Sequence, residues 1–218
     1  MADNNFKHDL FSHFARIGKA LGSANRLELL EYIAQGERSV EELARVTGLT
    51  VANTSQHLQQ LRQASLVASR KEGLKVYYSL SSNDVIELLA VLRAVAERHI
   101  ADVDRLVNTY LTVKDDLEPV PRDELLERVR TGLVSVIDVR PEEEFKAGHI
   151  PGAVNVRLAE LEEHIDKLNP QQEIVAYCRG PHCILAFEAV ARLRKRDLHA
   201  RRLEDGFPEW KAEGLPVE

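Results

Sequence analysis

The chain has 218 residues, 44% of them hydrophobic and 29% charged, with a formal net charge of -6. This is length enough for two compact domains of about 100 residues, each with its own core. No apolar run nears the roughly 20 residues of a membrane helix, the polar start at residues 1–8 lacks the core of a signal peptide, and two cysteines exclude a disulfide framework. A cytoplasmic protein with both thiols free is the expectation.

The net charge conceals an uneven distribution. Residues 1–112 carry 13 Lys and Arg against 13 Asp and Glu, and the remainder carries 16 against 22. Residues 43–71 hold Arg45, Arg62, Arg70 and Lys71 with no acidic residue. A basic face on a neutral domain is what phosphate contact requires.

In chain order, residues 9–35 show two helical patterns broken at Gly22-Ser23. Ser39, with Glu42 three residues on, predicts a capping box opening a short helix that ends near Gly48. Thr50 predicts the cap of a further helix to about Ala64, with Val51, Thr54, Leu58 and Leu61 turned inward. Residues 66–70 and 75–80 alternate apolar and polar around Lys71-Glu72-Gly73-Leu74, which predicts a hairpin. Residues 83–112 read as one helix of about 30 residues, roughly 45 Å long. Its apolar stripe is too long for one small domain to cover, and a homodimer interface is the expected use. Residues 113–121, with two prolines and three acids, read as a linker.

Beyond residue 121 the rhythm alternates helix and strand. Helix 123–130, strand 133–139, an extended piece at 153–156, strand 173–177, helix 183–195 and strand 200–203 predict a parallel sheet with helices on both faces.

Residues 39–66 have helix-turn-helix spacing. In that geometry the second helix enters the major groove of double-stranded DNA, with Asn53, Ser55, Gln56 and Gln59 toward base edges and Arg62, Arg70, Lys71 and Lys75 toward phosphates. Taken singly, each also fits a solvated helix or hairpin position. Through Asn25-Arg26-Leu27-Glu28-Leu29-Leu30, the string from Thr54 to Leu58, Gln63-Ala64-Ser65-Leu66-Val67 and the hairpin from Arg70 to Tyr78, residues 8–110 resemble the ArsR/SmtB family of winged helix-turn-helix repressors. The resemblance implies a homodimer on a palindromic operator, released by an inducer. The cysteine pair of some metal-sensing members is replaced here by Ala44 and Val46. His99 has Glu97 nearby, but Tyr110 stands where a further ligand would be, so no metal site is expected.

A second constellation begins where strand 173–177 delivers Cys178. Arg179, Gly180, Pro181, His182 and Cys183 then curl into a helix. The positive helix end and tight-loop N–H groups, with charge from Arg179 and His182, would favour a nucleophilic thiolate. Alternatives remain an inert thiol, or Cys183 resolving a modified Cys178 if their Cα spacing allows. Ile137-Asp138-Val139-Arg140, Glu144-Phe145, Gly148-His149-Ile150-Pro151-Gly152-Ala153, the loop after Tyr177, and Gly206-Phe207-Pro208-Glu209-Trp210 resemble the rhodanese family over residues 119–218. That resemblance implies sulfane-sulfur transfer through a Cys178 persulfide, with no cofactor. Asp138 and His149 read as fold-building residues.

The expected fold class is two domains: a mainly α winged helix-turn-helix (1–112), a linker (113–121), and an α/β rhodanese-like parallel-sheet domain (122–218). Two functions fit the sequence. One is a repressor whose second domain senses a sulfane-sulfur donor or small oxidant at Cys178. The other is a sulfurtransferase with an attached DNA-binding domain.

Overall fold

The computed structural model describes residues 2–112, 117–165 and 168–218. Part of the expected linker, residues 113–116, lies outside them. Two compact units emerge, Met1–Val85 and Ile86–Glu218.

In the first unit, α1 (Ala2–Leu21) and α2 (Ala24–Ala34) are followed by β1 (Arg38–Ser39), α3 (Val40–Thr47), α4 (Val51–Gln63), β2 (Val67–Glu72) and β3 (Lys75–Leu80). The capping box at α3 forms as the sequence predicts: the Glu42 N–H donates to Ser39 Oγ, and the Ser39 N–H donates to Glu42 Oε2 at 2.8 Å. The Glu42 carboxyl is held below its usual pKa chiefly by that backbone bond. Gly48 ends α3 at φ 68, a left-handed conformation that a glycine adopts without a Cβ penalty. Thr50 caps α4 by accepting from the Asn53 N–H at 3.2 Å.

Leu29, Leu30, Leu43, Leu58 and Leu61 are fully buried and form the centre of this unit; truncating any one to alanine removes about 2–5 kcal/mol. Val51, expected inward, is half exposed, whereas Thr54, three residues on, is fully buried. Arg26 ties three helices together, donating to Lys19 O and Ala20 O and to Gln60 Oε1. The β2–β3 hairpin closes through Gly73-Leu74, with Glu72 opposite Lys75, and β1 adds an antiparallel edge to β3. That two-residue strand is too short to leave a periodicity in the sequence.

In the second unit the expected single long helix is divided. The segment comprises α5 (Asp84–His99), which starts two residues before the unit boundary, then α6 (Ala101–Val107) and a π-helical turn (Asn108–Thr112). Ile100 between them takes an extended conformation, φ -112 and ψ 100. Neither proline nor glycine marks the break; a β-branched residue tolerates extended backbone readily.

The remaining elements are α7 (Arg122–Arg130), β4 (Val134–Asp138), α8 (Glu142–Lys146), β5 (Val154–Asn155), α9 (Leu161–Ile165), β6 (Glu173–Tyr177), α10 (Ile184–Arg194), β7 (Ala200–Arg202) and α11 (Phe207–Ala212). The four strands form one parallel sheet in the order β5-β4-β6-β7. Its central strand β6 alternates between faces: Ile174, Ala176 and Cys178 pack with α10, whereas Val175 and Tyr177 pack with Leu125, Phe207 and Trp210. Two apolar layers enclose the strand, as the near-continuous hydrophobic run of a parallel strand requires.

Candidate functional site

Two sites are built, one in each unit. In the first, α3, the turn at Gly48 and α4 form the helix-turn-helix. Asn53, Gln56 and Gln59 are exposed and Ser55 is half-buried, on the faces left free by Thr54, Leu58 and Leu61. His57 turns away from them, with its Nε2 3.4 Å from Asn25 Nδ2 on α2. Arg62, at the end of α4, donates to Ser69 Oγ on β2 at 3.3 Å and so couples the helix to the hairpin. Lys71 and Lys75 extend from the exposed hairpin. Arg70 differs from them: Glu37 accepts from its Nε at 2.8 Å, Glu72 pairs with its Nη1, and its guanidinium lies 4.7 Å from the Tyr77 ring centroid. These acids raise its pKa further and offset much of the charge it could offer a phosphate.

In the second unit, β6 delivers Cys178 to a loop that α10 continues. Cys178 is buried, 1% exposed. Its sulfur is bonded to that of Cys183, the N-cap residue of α10, with the Cα atoms 6.0 Å apart. That spacing lies within the range a disulfide spans without moving the backbone. The expectation of two free thiols is thereby corrected: Cys178 and Cys183 are joined in a disulfide.

Surrounding charge differs from the sequence expectation. Arg179 donates through Nε and Nη2 to the buried Glu144 at 2.9–3.1 Å, which neutralises it locally. Partial burial lowers the His182 pKa below its usual value, Arg93 and Arg202 adding to the effect and Glu97 opposing it. His182 is then neutral at pH 7 and its Nε2–H donates to Glu97 Oε1, 2.8 Å away. The positive potential that remains comes from the end of α10; Arg93, whose Nη1 lies 3.9 Å from where a Cβ on Gly180 would be, is itself paired with Glu209.

The loop backbone rests on Gly206. Phe207 N donates to Cys178 O at 3.0 Å, and Glu209 Oε2 accepts from the Gly206 N–H at 3.2 Å. A Cβ on Gly206 would overlap Gly180 N and Cα and Arg179 C, so this glycine is required for space rather than for its φ of -112. Gly180 and Pro181 form the half-buried apex of the loop.

Below the loop, the fully buried Arg140 donates from Nε and Nη2 to Asp138 at 2.6–3.0 Å and from Nη2 to Gly148 O at 2.8 Å. His149 stacks on Phe145 at 3.7 Å. Asp138 thus holds the buried Arg140, and His149 Nδ1 lies 3.1 Å from Phe145 O; the sequence reads these two, Asp138 and His149, as fold-building. The residues that sequence reasoning missed are Glu144, Gly206 and Glu209 as loop supports, and Arg93 and Glu97 as neighbours. Glu144 is one of three consecutive glutamates, and only tertiary packing distinguishes it from the other two.

A winged helix-turn-helix followed by a parallel-sheet domain with a strand-end cysteine loop defines a two-domain regulator class. The family model "Bacterial regulatory protein, arsR family" matches residues 23–69, and "Rhodanese-like domain" matches residues 121–213. The HTH-type transcriptional regulator Rv0324 of Mycobacterium tuberculosis is 43% identical over 212 residues, 97% of this chain and 93% of that one. The chain belongs to the ArsR family of bacterial transcriptional regulators, in the form that carries a C-terminal rhodanese-like domain. Among solved structures, the homodimeric winged helix-turn-helix DNA-binding domain of Mb0332 from Mycobacterium bovis is 41% identical, covering 43% of this chain and 87% of that one, with a TM-score of 0.41. A rhodanese-related protein from Thermoplasma volcanium is 25% identical, covering 47% and 98%, with a TM-score of 0.42.

Proposed function

We propose that this regulator acts in the cytoplasm as a homodimeric repressor and reads reactive sulfur or redox state at Cys178. The observation that carries the reading is the closure of Cys178 onto Cys183 at the junction of β6 and α10. In the open form the Cys178 thiolate attacks the sulfane sulfur of a persulfide or polysulfide donor. It becomes a persulfide, and the donor leaves as its thiolate. The Cys183 thiolate then attacks the Cys178 sulfur, the disulfide forms, and hydrosulfide carries away the electron pair of the broken S–S bond. A small oxidant reaches the same disulfide through a sulfenic acid, releasing water in the second step. One bistable loop thus serves both inputs.

DNA contact is assigned to Asn53, Ser55, Gln56 and Gln59 for bases, and to Arg62, Lys71 and Lys75 for phosphates, with a smaller contribution from Arg70. Dimerisation is supported by apolar side chains left exposed on two helices: Phe6, Phe11, Phe14 and Ile17 on α1, and Val91, Leu92 and Val95 on α5. Rows of this kind on a single chain mark a surface that a second copy covers. Among the described residues no helix is long and apolar enough to cross a membrane.

The test is a gel shift on operator DNA with reduced protein, before and after treatment with inorganic polysulfide, with Cys178 modification confirmed by mass spectrometry. A change in affinity that Cys178→Ser abolishes is expected. Equal affinity with Cys178 fully modified refutes the reading.

A further inference from the structure

Both the sulfur loop and residues 86–99 of α5 belong to the second unit, and they meet at two points. On α5, Arg93 and Glu97 are one turn apart and share a helix face. Glu97 Oε1 accepts from His182 Nε2, inside the ring closed by Cys178 and Cys183, at 2.8 Å. Arg93 Nη2 pairs with Oε1 of the buried Glu209, whose other oxygen holds the Gly206 N–H, and Gly206 is the residue on which Gly180 lies. One contact thus grips the loop directly and the other grips its support. Neither residue takes part in the sulfur chemistry described above.

We propose that Arg93 and Glu97 are positioning residues that latch the closed Cys178–Cys183 loop onto α5, so that the state of the sulfur pair and the hold on this helix are thermodynamically coupled. The inference rests on the sensing reading for its purpose, and on the two contacts for its mechanism. Closing the ring restricts the backbone on either side of His182 and holds its imidazole where Glu97 receives it. Opening the ring frees the four residues between the cysteines and costs that hydrogen bond its fixed geometry. Reciprocity follows: whatever closure contributes to the grip on α5, the grip contributes equally to closure. A residue that only stabilised the fold would leave the thiol–disulfide equilibrium where it was.

The experiment equilibrates the full-length protein in mixtures of reduced and oxidised glutathione. Closure takes two electrons and two protons from Cys178 and Cys183 and converts one oxidised glutathione into two reduced ones. The open fraction is trapped by alkylation and counted by intact mass. R93A/E97A is expected to lower the closure constant by about fivefold. E97A alone, which removes a half-exposed side chain and leaves the buried Glu209 paired, is expected to lower it by about twofold and guards against a double variant that fails to fold. A closure constant unchanged in folded E97A overturns the latch. The sensing reading is tested apart from it: equal operator affinity of open and closed wild-type protein overturns that reading, and the closure constants still decide the latch.

Discussion

Replacing Gly206 with alanine isolates the support beneath the sulfur loop. The added methyl would sit among Gly180 N, Gly180 Cα and Arg179 C, all main-chain atoms with no flexible side chain to yield. Relief requires the loop or the start of α11 to move by roughly 1 Å, and overpacking of this kind costs about 1–3 kcal/mol. The same movement pulls on the Phe207 N–H to Cys178 O bond of 3.0 Å and on the Gly206–Glu209 cap. It also disturbs the 6.0 Å Cα spacing that lets Cys178 and Cys183 bond. Trp210 is the sole tryptophan and is buried in this unit, so its fluorescence during urea unfolding reports on this unit. The expected result for G206A is a stability loss of about 1–3 kcal/mol together with a reduced closed fraction at a fixed glutathione ratio. Gly152→Ala is the control. Gly152 has φ +74 and open space around its missing Cβ, so alanine there costs about 1–2 kcal/mol of backbone strain and leaves closure unchanged. A G206A protein with wild-type stability and wild-type closure would refute the steric argument.

Asp138→Ala removes the carboxylate to which the fully buried Arg140 guanidinium donates from Nε and Nη2, and urea unfolding followed at Trp210 should show a loss of about 3–5 kcal/mol. In the DNA interface, Lys71→Ala should lower the salt dependence of operator binding by about one counterion. Arg70→Ala should change it less, because Glu37 and Glu72 already engage that guanidinium; fluorescence anisotropy across a salt series compares the two. For pH, the depressed His182 pKa means that the unfolded chain takes up a proton before the folded one does as pH falls through about 6.5. Folded stability therefore rises with pH between the folded value and 6.5. His182→Gln should flatten this part of the stability profile, and an unchanged wild-type-minus-variant difference between about pH 5 and 7.5 would contradict the assignment.

Much of this protein was legible in local sequence, because local signals have local causes. The Ser39–Glu42 capping box, the Gly48 stop, the Thr50 cap and the Gly73 hairpin each involve residues at most four apart, and each forms. The alternation after residue 121 identified the parallel sheet, since strands covered on both faces must be continuously apolar. Cys178 and Cys183, five positions apart, marked the sulfur loop. What only tertiary structure decided involves distant partners. The pairing of Arg179 with Glu144, 35 residues away, removed a charge that the loop sequence had suggested. Glu37 did the same to Arg70 across 33 residues. The break at Ile100 has no composition signal, and Glu97, which the sequence placed beside His99, finds its partner in His182. Helix caps and tight turns are set by spacing along the chain, whereas the charge a site presents is set by which opposite charges folding brings within reach.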